Sequence, residues 1–467
     1  MLRLIAPTLL VASMATALGQ ERPNFVFILV DDMGWTDLGV YGSDLHETPR
    51  IDAFAARSMR FTNAYAASPV CSPTRASILT GKHPARLHMT VWREAAKNPP
   101  LNRKLIPPVT ADSLPHAEVT VAEVLREAGY LTAHVGKWHL GTAEFYPQTQ
   151  GFDYNVGGTL WGAPQTFFFP YSGSRPFAGL RYVPHLEGGQ PGEYLTDRLT
   201  AEALRILRQE RGRPFFMHLA FHTVHTPIEG KPELVEHYRG KLREDARHRN
   251  PHLAAMVRSL DENIGQVLDV LDELGVADNT VVALTSDNGG YVNRYDGLQV
   301  TDNSPLRSGK GSLYEGGVRV PAIIRWPGVT PPGSVNHTPV SSVDYYRTIL
   351  SIAGLPGDRT HNRFVDGINL APLLRDPSFE PDREALFFHY PHYYATTSPV
   401  SAVRVGDWKL MRYYEDSRVE LYDLANDPGE SRDLASKRPD LAAALLARLK
   451  AWWARVNAQH PLHPDGA

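Results

Sequence analysis

Between residues 24 and 286 the chain alternates short apolar runs with longer segments whose apolar residues recur every three or four positions. Asn24-Phe25-Val26-Phe27-Ile28-Leu29-Val30 ends at Asp31-Asp32, the pattern of a strand buried on both faces. Residues 130–135, 215–220 and 280–285 read the same way, the last ending at Asp287-Asn288. Helical spacing covers 51–61, 120–128, 196–209 and 261–274, with Pro49 as a start signal and Gly129 and Gly275 as stops. This alternation predicts an α/β fold: a large mixed, mostly parallel sheet sandwiched by helices. Gly, Pro and aromatic residues dominate from 141 to 195, which predicts long loops over a cleft. Beyond about residue 384 the pattern changes to short alternating segments at 402–413 and 419–422 and a final helix over 439–456. The predicted layout is a main α/β domain over 20–383 and a C-terminal α+β subdomain, a short antiparallel sheet plus the terminal helix, over 384–467.

Residues 1–19 carry a different pattern. Met1-Leu2-Arg3 supplies a positive start, 4–17 is apolar or small, and Ala17-Leu18-Gly19 suits cleavage before Gln20. The run is too short for a membrane span, and no Cys follows Gly19 to take a lipid. A signal peptide is expected here, and with it an exported protein, periplasmic or extracellular in a bacterium, without a membrane anchor.

Ligands of open α/β sheets gather beyond the carboxyl ends of strands, where Asp31, Asp32, His222, His225, Asp287 and Asn288 all fall. Composition narrows the chemistry. With 42% hydrophobic and 21% charged residues in 467, the chain is an ordinary folded one. Lys+Arg of 48 against Asp+Glu of 51 gives a net charge of -3, which removes the electrostatic case for a nucleic-acid binder. One cysteine excludes an internal disulfide and a multi-cysteine zinc site. On composition alone that cysteine is a small buried hydrophobe.

Its surroundings suggest otherwise. In Cys71-Ser72-Pro73-Thr74-Arg75-Ala76-Ser77-Ile78-Leu79-Thr80-Gly81, Pro73 suits a first helical turn and Gly81 a helix end. Cys71 then sits at a helix N-terminus, which favours an anion, with Arg75 one turn on. The stretch resembles the sulfatase signature, Cys or Ser followed by x-Pro-x-Arg and then Thr-Gly. A second sulfatase signature matches Gly129-Tyr130-Leu131-Thr132-Ala133-His134-Val135-Gly136-Lys137-Trp138-His139. The order of His225-Thr226-Pro227, Ser286-Asp287-Asn288-Gly289, Gly309-Lys310-Gly311 and Tyr314-Glu315-Gly316-Gly317 agrees as well.

The resemblance implies that a maturation enzyme oxidises Cys71 to formylglycine, an aldehyde. Its hydrate attacks the sulfur of a sulfate ester with one hydroxyl and expels sulfate with the other, which a serine lacks. Asp31, Asp32, Asp287 and Asn288 supply hard oxygen donors that suit one Ca²⁺ better than zinc, with the oxygen at position 71 completing the shell. Arg75, Lys137 and Lys310 add positive charge around the sulfate. By similarity, His139 assists deprotonation in the elimination step, and His225 with Lys310 protonates the leaving alcohol.

Two other readings compete. Phosphonate or phosphodiester hydrolases of the same superfamily typically carry Asp-His-Gly where this chain has Asp287-Asn288-Gly289, so the Asn favours sulfatase. A non-catalytic sulfated-glycan-binding protein would not need Cys71, Arg75, Lys137, His139, His225 and Lys310 together. A sulfated carbohydrate is the expected physiological substrate, with aryl sulfates as surrogates. His222, His389, His392, Trp92 and Arg93 are candidate substrate contacts, and Trp161 lies in another candidate cleft loop.

Overall fold

The computed structural model describes residues 22–100, 102–173, 179–210 and 212–464. The expected signal peptide at 1–19 lies outside them. Among the described residues, a nine-stranded sheet forms the centre of the molecule. Its strands are β1 (Asn24–Val30), β2 (Met59–Tyr65), β3 (Leu131–Gly136), β4 (Tyr154–Val156), β5 (Phe215–Ala220) and β6 (Thr280–Ser286). After a small hairpin, β7 (Arg294–Tyr295) and β8 (Leu298–Gln299), the sheet is completed by β9 (Arg319–Arg325), β10 (Val335–Asn336) and β11 (Val340–Ser341). The order is β10-β2-β9-β6-β1-β5-β3-β4, with β11 also on β2. β1 pairs in parallel with β5 and β6, and β3 with β4 and β5. β9 runs antiparallel to both its neighbours, β2 and β6, so the sheet is mixed but mostly parallel.

β1 shows why both faces need cover. Val26, Ile28 and Val30 join the cluster under helices Leu195–Gln209 and Pro251–Glu273, whereas Phe25, Phe27 and Leu29 join the one under helices Cys71–Thr80, Val121–Glu127 and Asp344–Ile352. All seven residues of β1 are buried, as a continuous apolar run in a doubly covered sheet must be.

Two helix expectations need correction. The segment 51–61 is a helix only over Pro49–Ala55; Met59 onward is strand β2. Ile51 and Phe54 carry helical spacing, but Met59 and Phe61 alternate with polar neighbours and point into the sheet's core. The helix expected at 261–274 spans Pro251–Glu273, because Asn250 caps it by accepting from His252 and Leu253 N–H and Pro251 suits its first turn. Asp261, buried within that helix, accepts from the Ile51 N–H at 2.7 Å and so caps helix Pro49–Ala55 in turn.

A second sheet, β12 (Leu386–Tyr390), β13 (Val400–Val405), β14 (Trp408–Tyr413) and β15 (Val419–Asp423), is antiparallel throughout, with helix Pro439–Val456 packed on it. Lys409 anchors it to the main body through Glu315 at 2.8 Å and bonds Glu430 of its own subdomain at 2.9 Å, all three fully buried. Removing one partner of such a buried group costs on the order of 3–5 kcal/mol, because the others lose compensation. Among the described residues, no helix is long and apolar enough to cross a membrane.

Candidate active site

The carboxyl ends of β1, β3, β5 and β6 converge on one edge of the sheet, where the N-terminus of helix Cys71–Thr80 meets them. That helix is buried along its whole length. It ends at Gly81, whose φ of 68° and contacts leave no room for a side chain: a Cβ there would lie 2.9 Å from Tyr346 and Val365. Gly136, at φ 106°, closes β3 in the same manner; a Cβ would fall 1.9 Å from the Ala220 carbonyl oxygen of β5. That carbonyl instead accepts the Lys137 N–H at 2.7 Å, which aims Lys137 beneath the site. Asp32 and His139 both sit in the left-handed region, at φ 62° and 60°. Non-glycine residues adopt it at a cost of order 1–3 kcal/mol where surrounding bonds over-determine them. The holding bonds are Asp32 N–H to Asp287 Oδ1 at 3.2 Å and His139 N–H to the Thr159 carbonyl at 2.9 Å.

Acidic and basic groups interleave here. Lys137 Nζ donates to Asp31 Oδ2 at 2.7 Å, and Lys310 Nζ to Asp32 at 2.7 and 2.8 Å. Arg75 Nε donates to Asp287 Oδ2 at 2.8 Å, and its Nη1 to the Lys137 carbonyl at 2.7 Å. Cys71 Sγ lies 3.5 Å from Asp31 Oδ1. Burial, reinforced by Asp287 and Asp32, raises Asp31 to about 8 despite Lys137. Burial would raise Asp32 too, but Lys310 and His225 outweigh it and hold that carboxyl low. Three buried carboxyl groups this close oppose one another's ionisation and form a cluster that a further cation would stabilise.

The donor chemistry fits a hard cation. Asp31, Asp32, Cys71 and His225 offer ligand atoms within 4.8 Å of one another. Asn288 is fully buried, gives its Nδ2 to Asp32 Oδ1 at 2.8 Å, and has an Oδ1 without a hydrogen-bond partner. An orphaned buried amide oxygen beside carboxylates is a ligand position for a calcium-class ion. Asp287 stands alongside, its oxygens on Arg75 and the Asp32 N–H.

Above this cluster opens a cavity of about 240 Å³. Asp32, Cys71, His139, His225 and Lys310 line it, whereas Asp31, Arg75, Lys137, Asp287 and Asn288 lie behind them as support. Trp92, Glu94, Arg181, Tyr291 and Tyr394 form further wall. Glu94 was not foreseen: it accepts from His139 Nε2 at 2.9 Å. Burial would raise its carboxyl, but His139 and Arg181 lower it to about 2, while burial holds His139 at about 4 against the pull of Glu94. His139 is therefore neutral at pH 7, with its proton on Nε2 and a buried, unpartnered lone pair on Nδ1. The guanidinium of Arg181 lies over the Trp161 ring, 5.2 Å from its centroid, and 4.0 Å from Glu94.

Of the expected substrate contacts, only Trp92 reaches this cavity, edge-on to Tyr394. Arg93 points instead to Asp112, at 3.8 Å. His222 is buried at the end of β5, and burial pushes its pKa well below the ordinary value. His389 is fully buried on β12, with Nδ1 on Ser401 Oγ at 2.6 Å and Nε2 on the Gln459 carbonyl at 2.7 Å. His392 is 5% exposed and bonds Thr90 Oγ1 at 2.7 Å. The aromatic-rich stretch at 388–394 begins as strand, and its side chains fill the seam between the sheets. His389→Ala is therefore expected to lower stability by about 2–3 kcal/mol and to cut turnover of carbohydrate and small aryl substrates equally, as a thermal melt and paired assays would show.

Comparison with known proteins agrees with this geometry. The sulfatase family model matches residues 23–355, and the model for the C-terminal region of N-sulphoglucosamine sulphohydrolase matches 309–456. A sulfatase from Formosa agariphila is 34% identical, over 97% of this chain and 93% of its own. Human N-acetylgalactosamine-6-sulfatase is 37% identical over 76% of this chain and 66% of its own. The crystal structure of Ps i-CgsB in complex with k-i-k-neocarrahexaose superposes with a TM-score of 0.76 at 28% identity, covering 92% of this chain and 93% of that one.

Proposed function

The chain belongs to the sulfatase family, whose members are sulfuric ester hydrolases, and from that membership we propose that it removes sulfate from a carbohydrate, using a formylglycine formed from Cys71 and one calcium ion. The observation that carries the reading is the placement of Cys71 on the cavity floor, 3.5 Å from Asp31 and within a cluster of carboxylates tied to Lys137, Lys310 and Arg75. Formylglycine supplies the oxygen nucleophile, and Ca²⁺ would be held by Asp31, Asp32, Asp287 and Asn288 and screen the charge of the sulfate oxygens.

The chain's own residues do the rest. Lys310, lining the cavity, binds the sulfate electrostatically, and Lys137 and Arg75 fix the carboxylates from behind. His225 donates Nδ1–H to the Thr226 carbonyl at 2.8 Å, which leaves Nε2 near Asp32, at 3.6 Å. Burial and Lys310 push the His225 pKa well below its ordinary value despite Asp32, so a proton placed on that nitrogen is readily given up to a leaving alcohol. His139, held by Glu94 with a free lone pair on Nδ1, is the proton acceptor of the pair.

A carbohydrate substrate is supported by the aromatic walls Trp92, Tyr291 and Tyr394, which suit stacking on sugar faces, and by Glu94 and Arg181, which suit hydroxyl groups. It is supported too by two similar proteins, one an N-acetylgalactosamine-6-sulfatase and one solved with a neocarrahexaose. Export is part of the same reading and is supported by the pattern of residues 1–19.

The test is a paired one on protein co-expressed with a formylglycine-generating enzyme. Mass spectrometry should find the Cys71 peptide lighter than the thiol form, and thiol titration of the unfolded active protein should find almost none. Aryl sulfate should be turned over in clear preference to aryl phosphonate. A full thiol per active chain, or preference for the phosphonate, overturns the reading.

A further inference from the structure

A second group of ligand-type side chains lies where the segment that follows Asp32 meets the approach to helix Pro251–Glu273, apart from the cavity lining. Asp37, His46 and His248 are 0%, 4% and 1% exposed, and their ligand atoms fall within 4.8 Å of one another. His46 Nδ1 donates to the Asp37 carbonyl at 2.9 Å, and His248 Nδ1 to Asp44 Oδ1 at 2.7 Å. A carbonyl and a carboxylate only accept, so both rings carry a proton on Nδ1, and Nε2 is the nitrogen left to face the cluster; for His248, burial would lower the pKa, but Asp37 and Asp44 outweigh it and raise the pKa. Neither Nε2 has a hydrogen-bond partner.

His248 Nε2 faces Asp37 Oδ1 at 3.5 Å. In that buried space the contact needs either a proton on Nε2 or a metal ion between the two atoms. A charge-assisted hydrogen bond from a protonated ring would close to about 2.7–2.9 Å. The observed separation instead matches the edge of a tetrahedron with metal–ligand bonds of about 2.0–2.2 Å, which is roughly 3.3–3.5 Å.

We propose that Asp37, His46 and His248 bind a zinc-class divalent ion, with water in the fourth position. Two imidazoles and one carboxylate select such an ion over calcium, which separates this site from the oxygen-rich cluster at Asp31 and Asp32. Its supporting contacts are those a metal site requires: a carbonyl behind His46, Asp44 behind His248, and on Asp37 the Gly34 N–H at 2.7 Å and Thr301 hydroxyl at 2.5 Å. A surface groove of about 660 Å³ reaches His46, and its carboxylates Glu47, Asp52, Glu233 and Glu262 favour entry of a cation. The ion ties together the loop after Asp32, the approach to helix Pro251–Glu273 and the 301–303 loop, where Asn303 holds the Gly290, Ser308 and Gly316 carbonyls. In a chain with one cysteine, a metal cross-link does what a disulfide cannot.

The test uses the full-length protein, stripped with a chelator and returned to excess calcium before one equivalent of ZnCl₂ or CoCl₂ is added. One zinc per chain by elemental analysis, visible d–d bands with cobalt, and a zinc-edge anomalous peak beside both Nε2 atoms are expected. His46→Gln and His248→Gln should each weaken zinc binding by about 100-fold or more and abolish the zinc-dependent rise in Tm. The proposal is overturned if the wild type takes up no zinc in calcium, if both variants bind it as the wild type does, or if the anomalous peak lies only at Asp31 and Asp32. Should a variant not fold, the wild-type anomalous map alone decides.

Discussion

Cys71→Ser, made in the host that matures the wild type, is expected to lose steady-state aryl sulfate turnover by on the order of 10⁴-fold or more. It should release at most one equivalent of aryl alcohol per chain. The thiol of Cys71 is 4% exposed, and burial pushes it up to about 12 despite Lys137 and Lys310, so an unconverted cysteine is a protonated, poor nucleophile. Serine matches its shape closely enough to keep helix Cys71–Thr80 in place, and Tm should move by only a few degrees. It has one hydroxyl, though, and keeps whatever it accepts. Wild-type protein from a host without the maturation enzyme should fail equally. Rapid-mixing assays at micromolar enzyme check both; sustained turnover by the serine variant at a tenth of the wild-type rate would falsify the role given to Cys71.

The parts of this site written in the sequence are those fixed by local rules. A buried parallel strand must be apolar until it emerges, so Asp31, Asp32, Asp287, Asn288 and the His222–His225 segment announced themselves as strand-end residues. Helix Cys71–Thr80 was marked by Pro73 and Gly81. What could not be read came from long-range pairing. Glu94 sits on a five-residue helix with no buried residue and meets His139 45 positions away. β9 joins the sheet antiparallel, between two strands that run together, and no periodicity encodes that choice. His389 misled for a physical reason. A strand that closes one sheet against another is as rich in aromatics as a sugar-binding loop, and burial alone tells them apart.

Acidification should destabilise the protein below about pH 5, through histidines remote from the cavity. His83, His134, His218, His389 and His392 are all buried, at 5% exposure or less. Burial lowers His83 to about 4, lowers His134, His389 and His392 to about 3, and takes His218 well below the ordinary value. His134 and His218 sit opposite one another on β3 and β5 with their Nδ1 atoms 3.0 Å apart, an arrangement that needs one donor and one acceptor and cannot hold two protons. For a group depressed in this way the unfolded chain takes up protons first. Stability is then complete above pH 6.5 and is lost as pH falls toward each folded value. At pH 5 each of His83, His134, His389 and His392 costs about 2 kcal/mol and at pH 4 about 3, so these four cost roughly 8 and 12 kcal/mol, and His218 adds in the same direction. Asp31, Asp261 and Glu430 act in the opposite sense. Burial raises them to about 8, about 6 and about 7, and their protonation on acidification returns about 6 kcal/mol together by pH 5 and about 9 by pH 4. The net loss is about 2–3 kcal/mol before the contribution of His218, a large share of the 5–15 kcal/mol that holds a typical domain together. Circular dichroism melts from pH 7 to 4 should show Tm falling below pH 6; a Tm at pH 4.5 no lower than that at pH 7 would mean that these rings are already charged, or already wet, in the folded protein.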